Sequence, residues 1–452
     1  MNHLKLSFRL FAISFISLTF TTCSNDDSTE PTPPVDTGFK GEIEWIKTFG
    51  GSNEDNALSV VETTDGGYAV AGYTQSIDGD ITDKTATDSD FWVLKLTKEG
   101  TISWSKTYGG TGDDRGERII QTTDGGYILV GYSRSSDEDV TVNAGLQDYW
   151  IVKINSTGEI QWEKSFGFPG IDRAFSVVQT TDGGYFVTGF LDVTASSGGG
   201  NDKRNNVRHG VGEFWGIKLD ADGNKVWRRY FGGTNNDRSY DTVQTEDNGF
   251  LMIGSSESID FDVTNSKGSY DFWAVKVNSE GTMLWQKSFG GSEIDVAYAI
   301  AATGNGKFVI VGDSRSNDGD ITGAKGNADL WMIQIDGNGN LLWEKSLGGT
   351  AFDTGRGIHK TQDGNFMITG NSRSNDVDLT QNRGQSDILS IMIDTTGEVK
   401  WKTTTGGSEA EFGEDCIETN DKKVVVVGNS ESNDFDIPEN KGSKDVLIIK
   451  YK

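Results

Sequence analysis

Cysteine, proline and histidine are scarce in this 452-residue chain, at 2, 5 and 3 residues. Two cysteines, Cys23 and Cys416, cannot build a disulfide framework. Three of the five prolines, Pro31, Pro33 and Pro34, sit together near the start, which leaves the body free for hydrogen-bonded strands. The histidines, His3, His209 and His359, are too dispersed for a histidine-based triad or metal cluster, and neither a Gly-x-Ser-x-Gly elbow nor a phosphate loop occurs. The reading is therefore non-enzymatic, with paired carboxylates for glycoside cleavage as the catalytic alternative. Basic charge is also short, 41 Lys and Arg against 68 Asp and Glu, for a net −27. Such a surface repels phosphate backbones and anionic lipid headgroups, so nucleic acid is not an expected partner.

No apolar run is long enough to span a bilayer permanently. The run at residues 10–18 follows Lys5 and Arg9 and reads as the core of a signal peptide over residues 1–22. Leu18-Thr19-Phe20-Thr21-Thr22-Cys23 resembles a lipobox, apart from Thr22 in place of a smaller residue, and implies lipidation of Cys23. Ser24-Asn25-Asp26-Asp27 is similar to the acidic stretch that directs Bacteroidota lipoproteins to the cell surface. Residues 23–41 are then a lipidated cysteine and polar tether, and the chain touches the outer membrane by its lipid anchor only.

What the body has in abundance is glycine, 59 residues, and tryptophan, 12 residues. Trp45, Trp104, Trp162, Trp227, Trp285, Trp343 and Trp401 recur at spacings of 59, 58, 65, 58, 58 and 58 residues, a period that with β patterning means propeller blades. Each unit reads as four strands, in the first at 57–63, 68–73 and 91–96 with the fourth starting at the marker tryptophan. Thr64-Asp65-Gly66-Gly67 supplies the tight turn between the first two. Gly72, Gly131, Gly189, Gly254, Gly312, Gly370 and Gly428 occupy one place in the second strand and predict close backbone approach. The third strand is apolar almost throughout, as burial on both faces requires. In the fourth, the Lys47 stem is expected to cover aromatics while its ammonium reaches water. Cys416 reads as a small core residue. The other five tryptophans fall in third strands, so all twelve are explained by packing.

The body begins with a fourth strand, 42–50, and ends with a third, 445–451. The last blade must borrow its outer strand from the N-terminus, which removes the exposed edge of an open array. The expectation is an all-β, seven-bladed β-propeller over residues 42–452, four antiparallel strands per blade, closed by the N-terminal strand, and monomeric. The motifs Trp-x-Lys-x-Phe-Gly-Gly, Thr-x-Asp-Gly-Gly-Tyr and Asp-x-Trp resemble bacterial seven-bladed propeller repeats of Bacteroidota secreted proteins and lipoproteins. That resemblance implies fold and not activity. The segment from Asn155 to Trp162 is similar to the tryptophan-docking turn of quinoprotein propellers, where the tryptophan is structural and implies no cofactor.

This strand order places the links from strand four to one and from strand two to three on one rim, where function is expected. Two acidic features recur there. One is the aspartate of Gly-Gly-x-x-x-Asp, at Asp55, Asp114, Asp172, Asp237, Asp295 and Asp353, with Glu411 in the seventh unit. The other is Asp-x-Asp after strand two, as at Asp78/Asp80 and Asp318/Asp320. Calcium binding is one reading of these carboxylates and turn capping the other. Positions that break the symmetry are better ligand candidates. Arg115, Arg173 and Arg238 follow the rim aspartate in three consecutive units, forming a basic arc suited to anions or else pairing with rim aspartates. The third unit carries an insert with Lys203, Arg204, Arg208 and His209. The expected function is a surface-anchored, non-catalytic module that binds a glycan or protein on the long-loop rim. The alternatives are an envelope scaffold and a propeller glycosidase or lyase.

Overall fold

The computed structural model of the protein describes residues 39–203 and 209–452. The signal peptide, Cys23 and most of the tether lie outside the described residues, as do Arg204 and Arg208.

The 28 strands, β1 to β28 in chain order, form seven four-stranded antiparallel sheets. The first complete blade contains β2 (Asp55–Glu62), β3 (Tyr68–Thr74), β4 (Asp90–Leu96) and β5 (Ile102–Tyr108), hydrogen-bonded in that order. Its hairpin follows from its turn residues. Gly66 takes φ +78°, Asp65 accepts the Gly67 N–H at 3.0 Å, and Lys95 from β4 pairs with the same carboxylate at 2.9 Å. The third strand is buried along its whole length, as its apolar run requires. Two boundaries differ from the sequence reading: the fourth strand starts two residues before its tryptophan, and the first strand of the first complete blade starts at the rim aspartate. In both cases the backbone is already paired there, as in Asp55 with Thr74.

The innermost strands are β2, β6 (Arg115–Gln121), β10 (Arg173–Gln179), β14 (Asp237–Gln244), β18 (Asp295–Ala302), β22 (Asp353–Lys360) and β26 (Glu411–Glu418). Each packs on the next, and β26 returns to β2, so the seven blades form a ring. Close approach of the two inner strands within each blade explains the recurrent glycine. A Cβ on Gly72 would lie 2.0 Å from the Asn56 carbonyl oxygen, and the other six glycines meet the matching carbonyl at 1.9–2.0 Å. Every innermost strand also skips register once beside that glycine, as between Ala57 and Ser59, leaving one bulged residue per blade.

Aromatic pairs join the blades. Phe91, Tyr149, Phe214 and Phe272 each meet the third-strand tryptophan of the following blade, with centroids 4.5–4.7 Å apart. Trp45 approaches Tyr68 at 6.4 Å, a contact repeated by Trp104 with Tyr127. The Lys47 ammonium, expected in water, instead donates to the Glu99 and Gly100 carbonyls of the next blade, because these turn carbonyls lack strand partners.

The ring is fastened by β1 (Ile43–Phe49), which pairs with β28 (Asp445–Tyr451) from Ile43 opposite Tyr451 to Phe49 opposite Val446. The last sheet thus runs β1, β28, β27 (Val424–Ser430), β26. Phe39 packs edge-on against Trp401 at 5.1 Å on the tight-hairpin side. Deleting residues 39–49 exposes β28 as an open edge, and a strand edge recruits other chains. The truncated chain is expected to elute as aggregate in size exclusion, and a synthetic peptide of residues 39–51 to restore the monomer. A monomer with unchanged melting temperature would remove closure from the account of stability.

Candidate ligand site at the channel mouth

The rim aspartates are structural. Asp55 is fully buried, and its carboxylate accepts from the Gly51 N–H at 2.7 Å, the Ser76 hydroxyl at 2.8 Å and the Thr74 hydroxyl. It ties the loop before the first strand to the end of the second. Asp78 accepts from the Ser52 N–H at 2.7 Å and Asp80 from the Gly50 N–H at 3.0 Å, and Asp318 and Asp320 repeat this with Ser292 and Gly290. Lys441 reaches across from the seventh blade to Asp80 at 2.7 Å, and Lys267 from the fourth to Asp320. The calcium reading of Asp78, Asp80, Asp318 and Asp320 gives way to loop fastening. Their oxygens hold backbone amides and ammonium groups, whereas calcium needs six to eight convergent oxygen ligands. Among the described residues, no group of three or more His, Cys, Asp or Glu side chains is placed to hold a metal ion.

Asp172 shows what the clasp costs where it is incomplete. The positions of Thr74 and Ser76 are Leu191 and Val193 in the third blade, so Asp172 accepts only the Phe168 and Asp192 N–H groups, each at 2.8 Å. Burial pushes its carboxyl up to about 7 against the pull of those two amides.

The three arginines do form an arc, but they do not pair with rim aspartates. Each follows the rim aspartate at the start of an innermost strand and lies over a second-strand aromatic of the preceding blade. Arg115 lies 4.4 Å over Tyr73, Arg173 4.4 Å over Tyr132, and Arg238 4.9 Å over Phe190. Below this arc lies a layer that sequence reasoning missed: the bulged residues Leu58, Glu117, Phe175, Tyr240, Tyr298, Arg356 and Glu414, all half-buried. Phe190, Phe175, Tyr240 and Tyr298 form a chain of rings 5.3–5.9 Å apart, and the Arg356 guanidinium lies 3.8 Å over Tyr298. Glu117 is raised to about 8 by burial, offset by Arg173 and Arg115 and reinforced by Glu414, whose own carboxyl burial also raises.

One level deeper Arg118 spans the axis, reaching Asp241 at 3.1 Å and Asp415 at 3.4 Å on two blades that are not each other's neighbours. Ser176 and the Ile300 N–H complete Asp241, and Ser59 and the Val60 N–H complete Asp415. This plug floors the mouth. Beyond it the channel, ≈ 280 Å³, is lined mainly by aliphatic side chains, with His359 and the buried free thiol Cys416.

The insert stands apart from this site. Asp202 binds Lys225 and Arg228 of the outer strand, and Lys203 donates to Thr282 at 2.7 Å near the hairpin rim. His209 is buried, with Nδ1 3.0 Å from Glu213 and its ring stacked on Phe261. It and Lys203 therefore serve the blade and not the arc.

Loop tips on the same rim carry strain. The middle residue of Asp-x-Asp has positive φ: Gly79 and Gly319 adopt it freely, but Val377 (φ +55°) and Phe435 (φ +53°) are bulky and more than half exposed.

No protein-family model matches the chain. It is similar to the regulatory protein FlaEY of Caulobacter vibrioides, 23% identical over 308 residues, a match covering 63% of this chain and 32%, or about a third, of that protein. A chain in the crystal structure of the mitotic checkpoint complex superposes with a TM-score of 0.53 at 9% identity, over 96% of this chain and 99% of that one, a likeness of fold alone. BamB from Moraxella catarrhalis aligns at a TM-score of 0.40 and 12% identity, over 89% and 99% of the two chains.

Two outcomes follow from this geometry. Because the Asp172 carboxyl is raised in the folded state, its contribution to stability is full below its unfolded value near 3.8 and is lost as pH rises through about 7. Asp172→Asn cannot ionise, so its melting temperature should gain on the wild type between pH 4 and pH 8. A constant difference would show that Asp172 is not raised. Val377→Gly relieves a left-handed β-branched residue and is expected to stabilise by up to about 1 kcal/mol in urea unfolding, after the entropy glycine adds to the unfolded chain.

Proposed function

We propose that this propeller is a non-catalytic binding protein that takes an anionic glycan, or an acidic segment of a protein, at the channel mouth on the long-loop rim. The observation that carries the reading is the unlike character of the seven bulged residues and of the arginines above them. Packing explains what recurs in every blade, and these positions do not recur. Guanidinium groups lying over aromatic rings offer their remaining N–H donors to carboxylate or sulfate, Arg173 having spent its Nε on Gln147 and Arg115 an Nη on Tyr73, and the Phe175–Tyr240–Tyr298 rings suit sugar faces. A positive mouth on an acidic molecule also concentrates an anionic ligand there.

We further propose that Cys23 is lipidated and that the propeller works at the outer surface of the outer membrane. The described chain starts at the hairpin rim, opposite the mouth. Similarity to a bacterial regulatory protein supports the second reading, a protein partner held on the same face.

The test is binding of the purified chain to acidic and neutral polysaccharides and to envelope extract. Arg115→Ala, Arg173→Ala and Arg238→Ala together are expected to weaken an acidic glycan at least about tenfold, ~1.4 kcal/mol. Unchanged affinity would move the ligand off this face, and capture of envelope proteins alone would make the protein a scaffold.

A further inference from the structure

On the hairpin rim a blade meets the preceding one through the last side chain of its innermost strand. Gln121 accepts the Thr64 N–H at 2.9 Å, Gln179 that of Thr123 at 3.0 Å and Gln244 that of Thr181 at 3.0 Å. Glu418 accepts from Gln362 at 2.6 Å and Glu62 from Asn420 at 2.9 Å. Five of the seven seams are thus closed by a carboxamide or carboxylate that crosses to a turn amide. At the seam between the fifth and sixth blades Lys360 donates instead to the Thr303 carbonyl. The seam between the fourth and fifth blades has neither, because its residue is Ala302. There the Glu246 N–H finds no acceptor among the described residues, and a cavity of ≈ 240 Å³ remains, lined by Ala302, Phe308, Gly304, Gly306, Glu246 and Lys276.

We propose that this seam is a second binding site, for a small neutral carboxamide. The ligand takes the place of the missing side chain. Its carbonyl accepts the Glu246 N–H, its amide N–H faces the Glu246 carboxylate, and its apolar part rests on Ala302 and Phe308. The adjoining seam supplies the precedent: the Gln244 carbonyl accepts the Thr181 N–H while its amide nitrogen lies 3.5 Å from the Thr181 hydroxyl. Glu246 stands where Thr181 does in its turn, so a stronger acceptor replaces the hydroxyl. A carboxylate ligand would meet the Glu246 charge, since of the two lining lysines Lys276 is already bound to Asp247 at 2.7 Å and Lys307 stands opposite Asp336, whose carboxyl it helps to lower. The volume suits one side chain or the acetamido group of a single sugar, smaller than a drug-sized pocket. This site is on the opposite rim from the channel mouth and is independent of the glycan reading.

The test is the amide resonance of Glu246 in isotope-labelled protein during titration with butyramide, with butyrate as control. Butyramide should shift it saturably in the millimolar range and butyrate should not. Ala302→Gln, which fills the seam as in the neighbouring blades, should abolish the shift and raise the melting temperature. Glu246→Gln keeps the turn and should weaken the amide while admitting butyrate. Free glutamine and N-acetylglucosamine, with glucose as control, then distinguish a side-chain from a sugar source of the same group. Silence towards butyramide, an equal response to butyrate, or a shift that survives Ala302→Gln overturns the proposal.

Discussion

In every blade the second strand lies closer to the first strand of the same sheet, beside its bulge, than a side chain permits. The carbonyl of the residue after the rim acid, in the first strand of the same blade, occupies the space where a Cβ of the second strand would stand, so that position is glycine in every blade. The extra residue beside it is the geometric partner of this contact. The bulge twists the strand towards the axis and turns one side chain out of the sheet's alternation. A constraint of packing therefore creates the seven positions at which the molecule is free to differ from blade to blade.

The acidic composition divides accordingly. Much of it is internal fastening: carboxylates gather loop amides, hydroxyls and lysines, and they hold the long-loop rim as a stiff annulus. Burial raises these acids even where hydroxyls donate to them, as at Asp55, and Asp172, which has no hydroxyl donor, is pushed up to about 7. Cations and rings then gather at the mouth, where they are supported by the preceding blade and floored by Arg118.

The ring was legible because tryptophan spacing, Asp-Gly turns and the strand offset at the two ends all point to one architecture. The clasp was not, because a run such as Asp78-Gly79-Asp80 has the same composition whether its oxygens face a cation or their own loop amides. Arg115, Arg173 and Arg238 were singled out correctly as neighbours, but their partners lie one blade back, some forty residues away in Tyr73, Tyr132 and Phe190. Glu117, Tyr240 and Arg356 were invisible because a bulge breaks the two-residue period by which facing is read from sequence. The signal for them was a position that changes from unit to unit in an otherwise repetitive chain. His209 was read as a ligand candidate of the insert, yet Glu213, which stands where other blades have aspartate, holds it in the interior.

Closure by β1 also orders events in time. The strand that completes the seventh blade is synthesised before the first blade exists, and its partner, β28, is the last strand of the ring to be made. Six blades can assemble on neighbours already present, but β1 has no partner until then. The longest loop of the ring is therefore closed last, by a pairing no local contact can hasten. Any factor that shields that early strand would govern how much of the newly made chain becomes a ring.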